Sequence, residues 1–182
     1  IWATTRQQNL PLNISDGFII TTLFWVVLAC AGSIPFYFFG LSINDAIFES
    51  VSGITTTGAT TIVGLDSLPK SILLYRQLLQ WIGGMGLIVL AVAVMPALGI
   101  GGGQLYKMEL PGSHGNQRLT PKITDSAKAL WKIYVGLTFI CAMLYLLSGM
   151  TLFDSIAHSL STVAGGGFST HDESIGFFDS SL

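Results

Sequence analysis

Two short segments, Thr55-Thr-Thr-Gly-Ala-Thr-Thr61 and Ala164-Gly-Gly-Gly-Phe-Ser-Thr170, hold the residue types from which ligand chemistry can be read. Their β-branched residues and glycines favour extended backbone over helix, which leaves main-chain carbonyls exposed. Rings of such carbonyls are how a pore replaces the hydration shell of a small cation. Each segment follows a stretch that is itself repeated, Asp45-Ala-Ile-Phe-Glu-Ser-Val-Ser-Gly-Ile in one copy and Asp154-Ser-Ile-Ala-His-Ser-Leu-Ser-Thr-Val in the other. One offset of 109 residues, Asp45 to Asp154, also pairs Ile47 with Ile156, Ser50 with Ser159, Ser52 with Ser161, Gly58 with Gly167 and Thr61 with Thr170. It pairs Ser42 with Thr151 as well, so each copy opens with Ser/Thr-x-x-Asp, a helix N-terminal signature. Ordinary loops do not repeat a cap, a short helix and a glycine at one spacing.

Other residues offer chemistry but read more simply. His171-Asp172-Glu173 has metal-ligand types, yet neighbours on one loop seldom converge on an ion, so a solvated outer mouth is expected. His158 stands where the first copy has Glu49; a hydrogen-bonded packing role is expected before a pH response. Arg76 lies in an apolar run and needs a partner, either Glu49 or an outer carboxylate, unless it snorkels to the interface. Gly99 to Gly103 imitates a dinucleotide loop, but Gln104 takes the last glycine position and no βαβ unit surrounds it. Cys30 and Cys141 sit in apolar runs without metal or redox spacing and read as buried inert thiols. Asn13-Ile-Ser15 matches a glycosylation acceptor but falls on the side expected to be cytoplasmic. No nucleophile, base and orienting group occur together, so an enzyme is not expected.

The elements that must carry these segments follow from composition. Hydrophobic residues make up 51% of the 182 and charged ones 10%, against roughly a quarter charged in soluble domains. The chain therefore reads as an integral membrane protein. Phe18 to Leu41 is uncharged, and its run of about 24 residues spans a bilayer core of about 30 Å. Residues 43–55 are too short to span and have the length of a re-entrant segment. Residues 71–98 form a second long run, in which Gly83-Gly84-Met85-Gly86 permits close helix contact or a kink. A polar stretch over residues 99–130 precedes a third span, from Trp131 to about Leu152. The second short helix and its glycine-rich sequel follow.

Charge sets the orientation. Lys107, Arg118, Lys122, Lys128 and Lys132 cluster in or beside the polar stretch, with Arg6 on the same side. The other face has Lys70 and Arg76 but also Asp45, Glu49, Asp66, Asp154, Asp172, Glu173 and Asp179. The positive-inside rule then puts the connector in the cytoplasm and both short loops outside, where acidic residues concentrate cations. The polar segment at residues 1–17 is no signal peptide. The expected division is a first helix, pore loop and helix repeat over residues 1–100, a connector over 101–130, and a second repeat over 131–182 that stops before its last helix. A net charge of −2 without a basic stripe gives no reason to expect a nucleic-acid partner.

The runs Ser-Gly-Ile-Thr-Thr-Thr-Gly-Ala-Thr, Arg76-Gln77, Gln80-Trp81-Ile82-Gly83-Gly84-Met85-Gly86, Gly-Gly-Gly-Gln-Leu-Tyr-Lys-Met-Glu-Leu-Pro-Gly and Gly-Gly-Phe-Ser-Thr-His-Asp-Glu-Ser-Ile-Gly resemble the Trk/Ktr/HKT potassium-transport superfamily, most of all its TrkH-type subunits. The resemblance implies an all-α integral membrane fold of repeated helix, pore loop and helix units, of the potassium-channel-like type. It implies potassium as the transported ion, with filter glycines at Gly58 and Gly167 and ion-facing carbonyls on Thr56, Thr57, Gly165 and Gly166. It further implies a homodimer in the bacterial inner membrane, multi-pass, with a cytoplasmic nucleotide-binding regulatory subunit. The competing reading is a secondary transporter of a small organic or anionic substrate built on broken helices. That would need half-helix N-termini facing the substrate and charged groups at the midplane.

Overall fold

The computed structural model describes residues 14–94 and 120–178. Helices form at α1 (Ile14–Phe39), α2 (Ile43–Ile54), α3 (Lys70–Val94), α4 (Thr120–Leu147) and α5 (Leu152–Val163), with single 3₁₀ turns at Leu65–Ser67 and Ser174–Phe177. The described residues contain no strand, so the fold is all-α. Arg6, Asn13, Gly99 to Gly103, Lys107, Arg118 and Asp179, and with them most of the 101–130 connector, lie outside the described residues.

The repeat is a repeat of backbone hydrogen bonds. α1 ends where Gly40 turns to φ 113°. There Gly40 N–H donates to Tyr37 O at 3.0 Å and Leu41 N–H to Phe36 O at 3.2 Å. α4 ends in the same way at Gly149, φ 94°, with Gly149 N–H on Leu146 O and Met150 N–H on Tyr145 O, both 3.2 Å. This is the left-handed glycine stop that satisfies the last carbonyls of a helix. It corrects the expected end of the third long helix, which stops at Leu147 and not near Leu152. The same helix is already formed at Thr120, well before Trp131, with Pro121 in a first turn that tolerates it.

Each short helix then starts on its predicted cap. Ser42 Oγ accepts from Asp45 N–H at 3.2 Å and donates to Asp45 Oδ2 at 2.6 Å. Thr151 and Asp154 make the same two contacts at the same distances. Such reciprocal capping satisfies donors that a short helix would otherwise leave open.

α1 packs on α2 and α4 on α5, while α3 packs on both short helices and on α4. The glycines of α3 make this possible. A Cβ at Gly83 would lie 1.9 Å from Ile54 O, and one at Gly84 would lie 3.0 Å from Ala164 Cα. One helix thus passes against the C-terminal ends of both short helices, and of the two expected roles for these glycines, close contact is the one they serve. Around it Phe36, Ala46, Ile54, Ile72 and Leu79 form a core.

The outer faces are apolar. Phe24, Val27 and Phe38 on α1 and Leu137, Phe139 and Leu144 on α4 are exposed. Among the described residues, Thr21–Phe39 and Ala127–Leu147 are long and apolar enough to cross a membrane. Only 17% and 6% of these stretches is buried, the reverse of a soluble core helix. Cys30 is exposed on α1 and Cys141 half-buried on α4, and both are free. The expectation of buried thiols therefore fails for Cys30, whose apolar run faces outward.

Candidate functional site

Where α2 ends, Thr55 Oγ1 turns back on Val51 O at 2.7 Å and Thr56 adopts φ 56°. Thr56 N–H donates to Gly53 O at 3.0 Å and Thr57 N–H to Ser52 O at 2.9 Å. The second copy does the same, Gly165 N–H on Thr162 O at 3.0 Å and Gly166 N–H on Ser161 O at 2.9 Å, with Gly165 at φ 71°. After these turns the backbone leaves the helix. Among the described residues, no hydrogen bond is accepted by the carbonyls of Thr56, Thr57, Gly58, Gly165, Gly166 or Gly167. Just beyond, carbonyls are occupied again, Ala59 O by Ser52 Oγ at 2.6 Å and, one position further along in the second copy, Ser169 O by Arg76.

The two segments meet. A Cβ on Gly58, whose φ is 78°, would stand 2.7 Å from Gly167 N and 2.8 Å from Gly167 Cα. Bare backbone faces bare backbone there, and only glycine at position 58 permits both the dihedral and the approach. Gly58 and Gly167, paired from the sequence by offset alone, are thus brought together.

Behind the segments lies a buried polar layer. Glu49 Oε1 accepts from Thr60 Oγ1 at 2.5 Å and from Thr61 N–H at 2.7 Å. The equivalent pair in the second copy is His158 and Ser169, whose Nε2 and Oγ are 3.0 Å apart, with His158 Nδ1 3.0 Å from Asp154 O. His158 is therefore a bonded packing residue, as expected. Arg76, fully buried, pairs with the fully buried Glu49 at 3.2 Å, which decides among its expected partners and against snorkelling. Gln80, one turn later on α3, accepts from Ser161 Oγ at 2.6 Å and from Phe168 N–H at 3.3 Å. Sequence reasoning quoted Gln80 within a family motif but gave it no role. The available signal was an uncharged polar residue four positions after Arg76 within an apolar run, hence on the same helix face.

The outer loops are tied to each other by side chains that, His171 apart, remain largely exposed. Asp172 Oδ1 accepts from the N–H groups of Gly64 and Leu65, each at 3.0 Å. His171 Nδ1 bonds Asp66, and its ring stacks on Phe177 with centroids 3.6 Å apart. That hydrogen bond holds the exposed Asp66 carboxyl below the usual carboxylate range. The expected solvated mouth at His171-Asp172-Glu173 holds for the exposed Asp172 and Glu173, while His171 is half-buried; the bonds of His171 and Asp172 to the other loop are what the sequence did not show. Only Glu173 faces outward without such a tie among the described residues.

A comparison with known proteins gives this arrangement its context. All of residues 1–182 match the family described as TrkH, cation transport protein. The chain belongs to that family. It is 58% identical over 182 residues to the Trk system potassium uptake protein TrkH of Vibrio parahaemolyticus, covering 98% of this chain and 38% of that protein. To the protein of the same name from Escherichia coli K12 it is 56% identical over 183 residues, 99% of this chain and 38% of the relative. Among solved structures, the crystal structure of the potassium transporter TrkH from Vibrio parahaemolyticus matches with a TM-score of 0.81 and 56% identity. That match covers 96% of this chain and 35% of the other. The chain thus spans little more than a third of the TrkH-family relatives it matches.

Proposed function

We propose that this chain is part of a protein that carries potassium across the bacterial inner membrane, through a filter lined by backbone carbonyls of Thr56, Thr57, Gly58, Gly165, Gly166 and Gly167. The observation that carries this reading is the meeting of two unbonded carbonyl stretches at Gly58 and Gly167. Non-helical backbone at membrane depth persists only where protein buries it or where it lines water. Each stretch also starts at the C-terminal end of a short helix, where the helix dipole is negative and favours a cation. Identity above one half to proteins named as potassium uptake proteins supports the choice of ion.

The division into repeats over residues 1–100 and 131–182, joined by a cytoplasmic connector over 101–130, belongs to the same proposal. So do several membrane passes, a homodimeric assembly, a cytoplasmic nucleotide-binding regulatory subunit, and transport without catalysis. The rival, an organic or anionic substrate held by half-helix N-termini, is disfavoured by the caps. Both short helices already carry a side-chain carboxylate in the first turn, Asp45 and Asp154, which repels an anion there.

The test is rubidium uptake by the full-length protein in liposomes. Uptake is expected to be competed by potassium and poorly by sodium. Absence of uptake, or equal competition by sodium, refutes the reading.

A further inference from the structure

One side chain touches both copies just past their unbonded stretches. Arg76 Nη2 donates to Thr60 Oγ1 of the first at 2.9 Å, and Nη1 donates to the Ser169 carbonyl of the second at 3.3 Å. Its Nε donates to Glu49 Oε2 at 3.2 Å, while Glu49 Oε1 holds Thr61 N–H. Its Cζ lies 4.2 Å from the centroid of the Phe168 ring, next to Gly167. A guanidinium spreads five donors over three nitrogens in a rigid planar fork, whereas an ammonium offers three from a single atom.

Thr60 and Ser169 occupy the same position in the two copies, each two residues beyond the glycine where the segments meet. A buried ion pair is poor evidence for stability, because desolvation offsets most of its attraction. A role in specifying geometry accounts better for one placed here.

We infer that Arg76 is a positioning residue for ion selection: it fixes the register of the Thr56–Gly58 stretch against the Gly165–Gly167 stretch, and so sets the spacing of their carbonyls. The inference rests on the ion-filter reading above. Arg76 acts through Thr60, Glu49 and Ser169.

The experiment compares full-length variants in liposomes by rubidium and sodium flux, with thermal unfolding in detergent as a separate readout. In the double variant Glu49→Gln with Arg76→Met, the amide oxygen still accepts from Thr60 and Thr61, and no charge is left buried. It is expected to fold and conduct, with the rubidium-to-sodium ratio lowered about tenfold, the factor equivalent to one hydrogen bond to a charged group. Arg76→Lys keeps the pairing charge but loses the fork, and is expected to lower the ratio by a smaller factor. A merely structural role would lower the yield or the unfolding temperature and leave the ratio of the surviving protein unchanged.

A folded double variant with the wild-type ratio overturns the inference. If that variant does not fold, an Arg76→Lys protein with the wild-type ratio overturns it equally. A wild-type protein without potassium-competed uptake refutes the filter reading instead, so the two failures are distinguishable.

Discussion

Gly58→Ala is the smallest change that tests the meeting of the two stretches. The added Cβ would stand 2.7 Å from Gly167 N, 2.8 Å from Gly167 Cα and 3.2 Å from Gly167 C, where unstrained contacts need about 3.5–4.0 Å. Everything it meets is backbone, so no side chain can swing away; one stretch must move by nearly 1 Å, a shift of the order of that shortfall. The left-handed dihedral adds about 1–2 kcal/mol for a residue with a Cβ, and overpacking about 1–3 kcal/mol. A total of about 2–5 kcal/mol corresponds to a loss between about 30-fold and about 4,000-fold in the population of the native arrangement. Gly167→Ala is the control. Its Cβ would lie 3.7 Å from Gly58 Cα, an ordinary contact, and Gly167 has no positive φ. Alanine there is expected to be near neutral, or to stabilise by up to about 1 kcal/mol through the unfolded chain. The assay is growth of a potassium-uptake-deficient cell at low potassium, with rubidium flux in liposomes as the quantitative readout. If Gly58→Ala supports wild-type growth and flux, or if both alanines cost the same, the packing argument is wrong.

Three further outcomes are expected. Ser42→Ala and Thr151→Ala each remove an equivalent cap and are each expected to cost about 1 kcal/mol in thermal unfolding of the full-length protein in detergent; a silent variant would mean that its cap is redundant. The glycines of α3 are expected to rank by what a Cβ would meet: Gly83→Ala worst, against Ile54 O at 1.9 Å, then Gly84→Ala, against Tyr134 Oη at 2.8 Å, and Gly86→Ala mildest, against the Trp25 ring at 3.3 Å. The yield of folded protein from membranes reads that order directly. Asp66 has a lowered pKa in the folded protein, chiefly through the hydrogen bond from His171, so its bond contributes stability above the ordinary aspartate value of about 3.9. That contribution is lost as pH falls through the lower folded value, and Asp66→Asn is expected to remove this part of the acid dependence of unfolding temperature. An unchanged acid limb in the variant would count against the tie between the outer loops.

What could be read from residues alone was whatever the chain encodes locally. Ser42 with Asp45 and Thr151 with Asp154 announce helix starts because a cap is a contact over three residues. The constant offset identified Gly58 and Gly167 as partners without any knowledge of distance. Contacts between distant side chains left little trace. Asp172 reaches Gly64 and Leu65 across more than a hundred residues, and nothing in its neighbourhood distinguishes it from a solvated acid. Gln80 was passed over because an amide inside an apolar run has no charge to flag it, and its partners Ser161 and Phe168 belong to the other copy. Helix ends were missed for a related reason. Gly149 stops α4 through a dihedral, whereas hydropathy alone runs on toward Leu152.

The two copies share the turn that ends each short helix but not the means of holding it. Thr56 and Gly165 both sit in the left-handed region, though only the glycine does so without strain. That strain at Thr56 persists only if its surroundings over-determine it. Its surroundings do so from both sides. Thr55 and Thr57 bond each other through their hydroxyls at 2.8 Å, and Glu49 holds Thr60 and Thr61 beyond Gly58. The second segment, richer in glycine, carries no such strain and is gripped instead by Gln80 at Ser161 and Phe168. A strained segment therefore faces an unstrained one, with Arg76 bonded to both. Substitutions at Thr56 or Glu49 are accordingly expected to change ion selection more than equivalent ones at Gly165 or His158, which the same rubidium-to-sodium ratio measures; equal effects in the two copies would remove the distinction between them.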